Sequence, residues 1–142
     1  MIPKPSQKKK KKLPTIAKVK KRLQEKIVNP YIRQRDSKDG YFKCISCGQT
    51  KPVAQMQAGH YIPISKSQFL RFNELNINGE CSNCNCWDGY HLIPYRKNLI
   101  AKIGLESVEA LERTAEEVKL YKWTRPELEQ IEKYYKTLTE KG

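Results

Sequence analysis

The sequence contains no long apolar run, and its acidic residues are too few to balance its basic ones. No stretch approaches the roughly 20 apolar residues that span a bilayer, and no apolar signal-peptide region stands at the N-terminus. We therefore expect a cytoplasmic protein without membrane association. Because the cytosol is reducing, metal binding is a better prediction than disulfides for the five cysteines. A length of 142 residues allows one domain with tails.

The shortage of acidic residues leaves a formal net charge of +13, from 28 Lys and Arg against 15 Asp and Glu. Such an excess favours a polyanionic partner, and nucleic acid is the commonest one. The alternative is that basic tails only keep a small protein in solution. Residues 1–14 carry a lysine run and little apolar surface, so we expect a disordered basic arm that either contacts phosphates or serves solubility alone.

Helical periodicity occurs on both sides of the centre of the chain. Residues 15–36 alternate apolar and basic positions at helical spacing, which predicts a basic helical segment that stops or kinks before Pro30. Residues 101–142 predict two packing helices, one capped by Ser107 and one opening at the capping-box sequence Thr124-Arg125-Pro126-Glu127. Residues 37–100 remain between these helical regions as the predicted core.

Two C-x-x-C pairs, Cys44-Ile45-Ser46-Cys47 and Cys81-Ser82-Asn83-Cys84, stand within this core. Four thiolates in two such turns can enclose one structural Zn²⁺ per chain, and binding energy at such a site is folding energy. A redox dithiol or free buried thiols are the alternatives. The segment between the pairs leaves room for a strand, a loop and a second strand. Cys86 is left over, and we expect it to be a small buried apolar side chain.

Both histidines lie close to the cysteine pairs: His60 lies between them, in Ala58-Gly59-His60-Tyr61, and His91 follows the second pair. Together with Asn76 and Asn85, His60 resembles the HNH, or ββα-metal, nuclease motif. The resemblance implies that His60 is the general base, that Asn76 steadies the loop between two strands, and that Asn85 binds the catalytic metal. It also implies an α+β fold, in which a small zinc-stapled ββα-metal core is flanked by α-helices.

Further motifs extend this pattern, and together they are Cys44–Gly48, Ala58–Tyr61, Leu70–Asn76, Cys81–Asn85, Tyr95-Arg96, Ile103-Gly104 and Val108-Glu109. As a set they resemble more closely the NinG/Rap recombination proteins of lambda-like phages and prophages. This resemblance implies a structure-selective endonuclease, a hydrolase that cuts branched recombination intermediates such as Holliday junctions and D-loops. It also implies that the protein is associated with the nucleoid of a bacterial host cell when it is bound to DNA. Because resolving a four-way junction requires two paired cuts, analogy with the family favours a homodimer. The resemblance covers residues 29–112.

One position departs from the nuclease pattern. Many HNH enzymes carry an aspartate or histidine metal ligand directly before the base, whereas this chain has Gly59. We expect Asp88 or His91 to join Asn85 in holding Mg²⁺ or Mn²⁺, although His91 could equally be a structural or phosphate-contacting residue. Because Gly59 weakens the catalytic prediction, a non-catalytic zinc-finger DNA-binding protein with four cysteine ligands stays as the alternative function. A redox or chaperone role is supported only by the cysteine pairs.

Several basic and aromatic residues near the motif are candidates for contacts with DNA. Trp87 and Tyr61 could stack on opened bases, although we expect core packing for both. The basic candidates, each of which could instead be a solvated surface charge, are Lys66, Arg71, Arg96 and Lys97.

Overall fold

The computed structural model describes residues 2–4 and 12–141, and most of the predicted basic arm therefore lies outside the described residues. None of its helices in the described residues combines the length and apolar character that crossing a bilayer requires. In chain order the elements are α1 (Ile16–Arg22), a π-helical turn (Leu23–Val28), α2 (Asn29–Arg35), β1 (Ser37–Lys38), β2 (Tyr41–Lys43), β3 (Thr50–Pro52), a 3₁₀ turn (Val53–Gln55), β4 (Met56–His60), β5 (Ile77–Cys81), α3 (Ser82–Trp87), α4 (Leu92–Ile103), α5 (Leu105–Glu117) and α6 (Arg125–Lys141).

The strands form two small antiparallel sheets. One sheet has the order β1-β2-β3, and a tight turn at Asp39 and Gly40, both with positive φ, joins its first two strands. The other sheet consists of β4 and β5 alone, with Met56 opposite Cys81, and α3 follows β5 directly. The α+β class is confirmed, and the centre of the chain has the strand, strand, helix order.

The first helical region begins as predicted but does not stop at Asn29. The Thr15 side chain accepts a hydrogen bond from the N–H of Lys18 and so caps α1. The helix then widens into a π-helical turn, in which the N–H of Asn29 donates to the carbonyl of Gln24. Pro30 stands in the first turn of α2, where no N–H is needed, so of the predicted stop or kink the structure excludes the stop.

The C-terminal half contains one helix more than the sequence predicts. No helix is predicted for α4, which carries Tyr95 and Leu99 into the core. The next helix, α5, begins at Leu105 after Gly104, so Ser107 is not its N-cap. The capping box of α6 is confirmed, since the Glu127 carboxylate accepts hydrogen bonds from the N–H and hydroxyl of Thr124 at 3.0 and 2.8 Å.

Helices pack against both faces of the β4–β5 sheet. On one face Ala58 and Ile77 pack against the π-helical turn, α2 and α6. On the other face the Tyr95 hydroxyl of α4 donates to the carbonyl of Gly59 at 2.6 Å and accepts from the Asn78 side chain at 3.1 Å. The two strands that carry the candidate site are therefore fixed between two helical layers. A third apolar cluster contains Phe42, Cys44, Met56, Cys81 and Cys84.

Candidate metal and nucleic-acid site

The four paired cysteines come together as the sequence predicts. The sulfur atoms of Cys44, Cys47, Cys81 and Cys84 all lie within 4.8 Å of one another. Burial raises the pKa of Cys44, and the backbone N–H groups of Cys47 and Cys81, which donate to its sulfur at 3.4 and 3.3 Å, oppose this effect by favouring the thiolate. Because zinc–sulfur bonds of about 2.3 Å place four sulfurs this close, the cluster could hold a metal ion such as zinc.

An ion in this cluster would join two separate parts of the site. Cys44 follows β2, whereas Cys81 ends β5 and Cys84 lies in α3. Gly48, with a φ of +73°, donates its N–H to the Cys44 carbonyl at 2.9 Å and closes the first cysteine turn. The leftover Cys86 is exposed, so its predicted burial is wrong. It lies on the solvent side of a helix that is too short for sequence periodicity to reveal its buried face.

His60 ends β4 and is held by the loop that follows it. Its Nε2 lies 2.8 Å from the backbone carbonyl of Arg71. Because a carbonyl can only accept, Nε2 carries the proton in the neutral ring and Nδ1 carries the lone pair. Burial lowers the pKa of His60, the Arg71 carbonyl opposes this effect, and the Arg71 charge adds to it. The imidazole is therefore neutral near pH 7 and can accept a proton.

Asn76 lies fully buried at the end of the loop between the two strands. Its Oδ1 accepts from the N–H of Ile62 at 2.8 Å, and its Nδ2 donates to the carbonyls of Ile62 and Leu70 at 3.0 and 3.4 Å. One side chain therefore ties the beginning of the loop to its end. This loop carries Arg71, so Asn76 also steadies the carbonyl that orients His60.

Asn85, on α3, is positioned by a residue that the sequence analysis did not single out. Its Nδ2 donates to the Gln57 side chain on β4 at 2.6 Å, which leaves its carbonyl oxygen for another partner. Side chains alternate along a strand, so Gln57 and His60 lie on opposite faces of the sheet. The structure thus places His60 and Asn85 on the two sides of β4 and does not bring them into contact.

The outer edge of β4 borders a groove whose lining includes Asn85 but not His60. This groove of about 640 Å³ is lined by the consecutive residues Met56, Gln57 and Ala58, together with Asn85 and residues of the π-helical turn and α2. Consecutive strand residues line one groove only where the strand edge faces it.

The two further ligands predicted for a catalytic metal have partners within the chain. Helix α3 ends at Trp87, so Asp88 lies beyond it and accepts a hydrogen bond from the N–H of Tyr90 at 2.9 Å. His91 Nδ1 lies 2.6 Å from the carboxylate of Glu80, a buried residue that the sequence analysis missed. The alternation of Asn78 and Glu80 with apolar neighbours in β5 was the available indication of two polar side chains on one face.

Oxygen atoms suitable for a hard divalent ion are present on the face of the β4–β5 sheet that carries Gln57 and Glu80. Glu80 Oε1 is buried and is the one buried side-chain polar atom without a hydrogen-bond partner in residues 2–4 and 12–141. The carbonyl oxygen of Asn85 is the second candidate. Mg²⁺ and Mn²⁺ prefer oxygen ligands and need few from the protein, because water and phosphate complete their coordination. The residues present therefore fit such an ion.

The chain matches the family model described as Bacteriophage Lambda NinG protein over residues 3–141. The chain belongs to the NinG family. Among its NinG relatives, "Protein ninG" of Escherichia phage lambda is 40% identical, and those of Salmonella phage P22 and Escherichia phage 933W are 39% identical, each over 111 residues. The matched parts are 78% of this chain and 51–52% of the relatives. The chain thus spans about half the length of these relatives. No solved structure matches the chain significantly.

The NinG match extends beyond the motifs on both sides and includes the flanking helices. The family resemblance drawn from the motifs is thereby confirmed. Among the predicted DNA-contacting residues of this NinG-family chain, Lys66, Arg96 and Lys97 line one cavity of about 1020 Å³ between the β4–β5 loop, α4 and α5. Arg96 is already paired with both oxygens of Glu112, each at 2.9 Å. Arg71 lies elsewhere, with its Nε 3.3 Å from the Gln24 side chain.

The two aromatic candidates differ in their surroundings. Tyr61 is buried, and its hydroxyl donates to Glu112 at 2.7 Å, so its predicted core packing is confirmed. Trp87 is 82% exposed, which makes its predicted core packing wrong. Tyr90 and Ile93 are 79% and 72% exposed in the same segment. Three exposed large apolar side chains therefore stand within residues 87–93, at the end of the helix that bears Asn85 and just after it.

Proposed function

We propose that this NinG-family chain is a metal-dependent endonuclease that cuts phosphodiester bonds in branched DNA. His60 is the general base, Asn85 is a metal ligand, and the cysteine cluster holds a structural Zn²⁺. The observation that carries the proposal is that β4 bears His60, a neutral ring held by the Arg71 carbonyl, while Asn85 lies beside a groove along the edge of the same strand. The excess of basic residues supports a nucleic-acid substrate.

Hydrolysis of a phosphodiester requires a base on the side of the attacking water and stabilisation of the leaving oxygen on the other side. His60 Nδ1 accepts the proton from water, while its Nε2–H stays bonded to the Arg71 carbonyl and holds the ring. Gln57 orients the Asn85 amide toward the opposite side. A bound Mg²⁺ or Mn²⁺ supplies Lewis-acid stabilisation of the phosphate and the departing 3′ oxygen. The structural zinc takes no part in the chemistry.

The exposed aromatic side chains after α3 support selectivity for branched DNA. Trp87 and Tyr90 stand two and five residues beyond Asn85. Stacking on an aromatic ring requires a base that has left the duplex stack, as at a branch point. We therefore assign Trp87 and Tyr90 to contacts with unpaired bases beside the scissile phosphate.

Trp87→Ala is expected to weaken binding to a four-way junction or flap by about five-fold to 150-fold, because one base–aromatic stack contributes about 1–3 kcal/mol. Binding to a plain duplex should be unchanged, since its bases stay stacked on each other. Fluorescence anisotropy with labelled DNA measures both affinities, and Trp87→Phe is the matched control that keeps an aromatic ring. An equal loss on duplex and junction, or no loss on either, would remove Trp87 from this role.

The rate of nicking is expected to depend on the protonation of His60. Burial places its pKa below the ordinary imidazole value of about 6.5, and only the neutral ring can accept a proton. The single-turnover rate should therefore rise with pH through a midpoint below about 6.5 and be level between about pH 7 and 8. A midpoint above pH 7 would contradict the assignment of His60 as the base.

The function itself is tested by incubating a four-way junction, a flap and a plain duplex in parallel with zinc-loaded protein and Mg²⁺ or Mn²⁺. The expected result is nicking of the branched molecules, with little or none of the duplex. Tight binding without cleavage, across several metals and DNA shapes, would favour the zinc-finger DNA-binding alternative, for which the glycine at position 59 is the best argument. A homodimer that makes paired cuts is part of the proposal, and sedimentation with junction DNA would reveal it.

A further inference from the structure

The carboxylate of Glu80 is fully buried on β5, in the sheet that carries the candidate site. One of its oxygens, Oε2, accepts hydrogen bonds from the Ser46 hydroxyl and from His91 Nδ1. The other, Oε1, has no hydrogen-bond partner among the residues that the structure describes. A buried carboxylate oxygen without a partner is unfavourable, so Oε1 requires an explanation.

The unpartnered oxygen occupies the space that a side chain at position 59 would need. A Cβ atom added to Gly59 would lie 2.3 Å from Glu80 Oε1 and 3.0 Å from the Glu80 Cβ. Glycine is therefore required at position 59 as long as Glu80 keeps this conformation. The carboxylate reaches, from the neighbouring strand, the position directly before His60 in β4.

We propose that Glu80 is the acidic ligand of the catalytic divalent metal and binds it through Oε1. This inference rests on the proposed endonuclease function. Gln57 lies directly opposite Glu80 in the β4–β5 register, so the two side chains start about 5 Å apart on one face. Gln57 also accepts the hydrogen bond from Asn85, so Gln57 is the neighbour of both residues whose oxygens we assign to the hard ion.

Ser46 and His91 act as positioning residues for this ligand. Carboxylates that bind metals are commonly held by hydrogen bonds to their second oxygen. The hydroxyl of Ser46 and the ring of His91 supply such bonds to Oε2, which orients the carboxylate and leaves Oε1 to the metal. His91 thus belongs to the metal site without being a direct ligand in this arrangement.

The test measures Mn²⁺ binding by electron paramagnetic resonance of the zinc-loaded chain without DNA, followed by nicking of a four-way junction. Glu80→Gln keeps the size and one acceptor oxygen of the side chain but removes the charge. It is expected to weaken Mn²⁺ binding at least tenfold and to reduce nicking at least a hundredfold, with zinc content unchanged. Glu109→Gln, an exposed position on α5, is the control and should match the wild type in both measurements.

A second pair of variants tests the geometry even if Glu80→Gln folds poorly. Glu80→Ala removes the carboxylate and leaves room for a side chain at position 59. The double variant Gly59→Asp with Glu80→Ala places a carboxylate on β4 in its stead, and its affinity for Mn²⁺ should be at least tenfold higher than that of Glu80→Ala. A double variant that binds Mn²⁺ no better than Glu80→Ala would overturn the proposal.

The results separate this inference from the proposed function. Wild-type protein that nicks DNA, with Glu80→Gln nicking and binding Mn²⁺ equally well, would overturn the role of Glu80 and leave the endonuclease intact. Wild-type protein that binds Mn²⁺ through Glu80 but cuts none of the DNA molecules would leave the metal site standing and overturn the endonuclease.

Discussion

His60→Ala is expected to lower the single-turnover rate of junction nicking by about 10²-fold to 10⁴-fold, the usual contribution of a general base. The reason is that the neutral imidazole is the proton acceptor for the attacking water in the proposed mechanism. Zinc content should not change, because His60 lies outside the cysteine cluster. Affinity for DNA should stay near the wild-type value, since the ring carries no charge near pH 7. Rapid-quench assays on end-labelled junctions measure the rate.

His60→Gln is the matched control for the structure of the loop. A glutamine amide can still donate to the Arg71 carbonyl, which the His60 Nε2 contacts at 2.8 Å, but it cannot accept a proton from water. Both variants should therefore be inactive, and His60→Gln should unfold at nearly the wild-type temperature. Nicking at the wild-type rate by either variant would exclude His60 as the base.

Cys84→Ser is expected to abolish zinc binding and to unfold the central part of the chain. A structural zinc site in a small domain contributes about 10–16 kcal/mol of apparent binding energy, which is comparable to the whole stability of a domain. Cys84 is buried and belongs to the apolar cluster that also contains Phe42 and Met56. Far-ultraviolet circular dichroism during heating, together with metal analysis, measures the effect.

Cys86→Ser is the control for this experiment, because Cys86 is exposed and its sulfur is not part of the cluster. It should keep one zinc per chain and the wild-type unfolding temperature. Chelation of the wild-type protein provides an independent test and should reproduce the effect of Cys84→Ser. If the chelated protein melted as before, the cysteine cluster would not be a structural metal site.

The features that the sequence predicts correctly are those set by contacts close in the chain. The capping box at Thr124 and Glu127 depends on residues three apart, and each cysteine turn depends on four consecutive residues. The spacing of the two cysteine pairs also predicts a strand, a loop and a second strand between them, which the structure contains as β4 and β5, with the short strand β3 in addition. Local chemistry and a repeated metal-binding pattern were sufficient for these elements.

Prolines stand in the first turns of two helices. Pro30 predicts a stop or a kink, and it occupies the first turn of α2 after a π-helical turn. Pro94 stands at the third position of α4, where the missing N–H is again harmless, and no helix is predicted there. Whether a proline ends a helix or begins one depends on the preceding turn, which periodicity does not reveal.

The parts of the site that the sequence could not predict depend on distant partners or on one short helix. The carboxylate of Glu80 is buried and accepts hydrogen bonds from His91 and Ser46, and the spacing of residues in the sequence reveals neither contact. Cys86 and Trp87 lie on a helix of six residues, too short for its exposed face to be read from a pattern. The exposure of Trp87 changes its interpretation from a core residue to a contact for unpaired bases.

The most direct test of the central claim is a crystal structure of the zinc-loaded chain with a four-way junction and Ca²⁺, which binds oxygen ligands and is expected to slow cleavage. The account predicts one phosphate at the open edge of β4, with the His60 ring on one side and an ion bound by Asn85 on the other. A junction bound only in the cavity lined by Lys66 and Lys97, with no phosphate near His60, would contradict it.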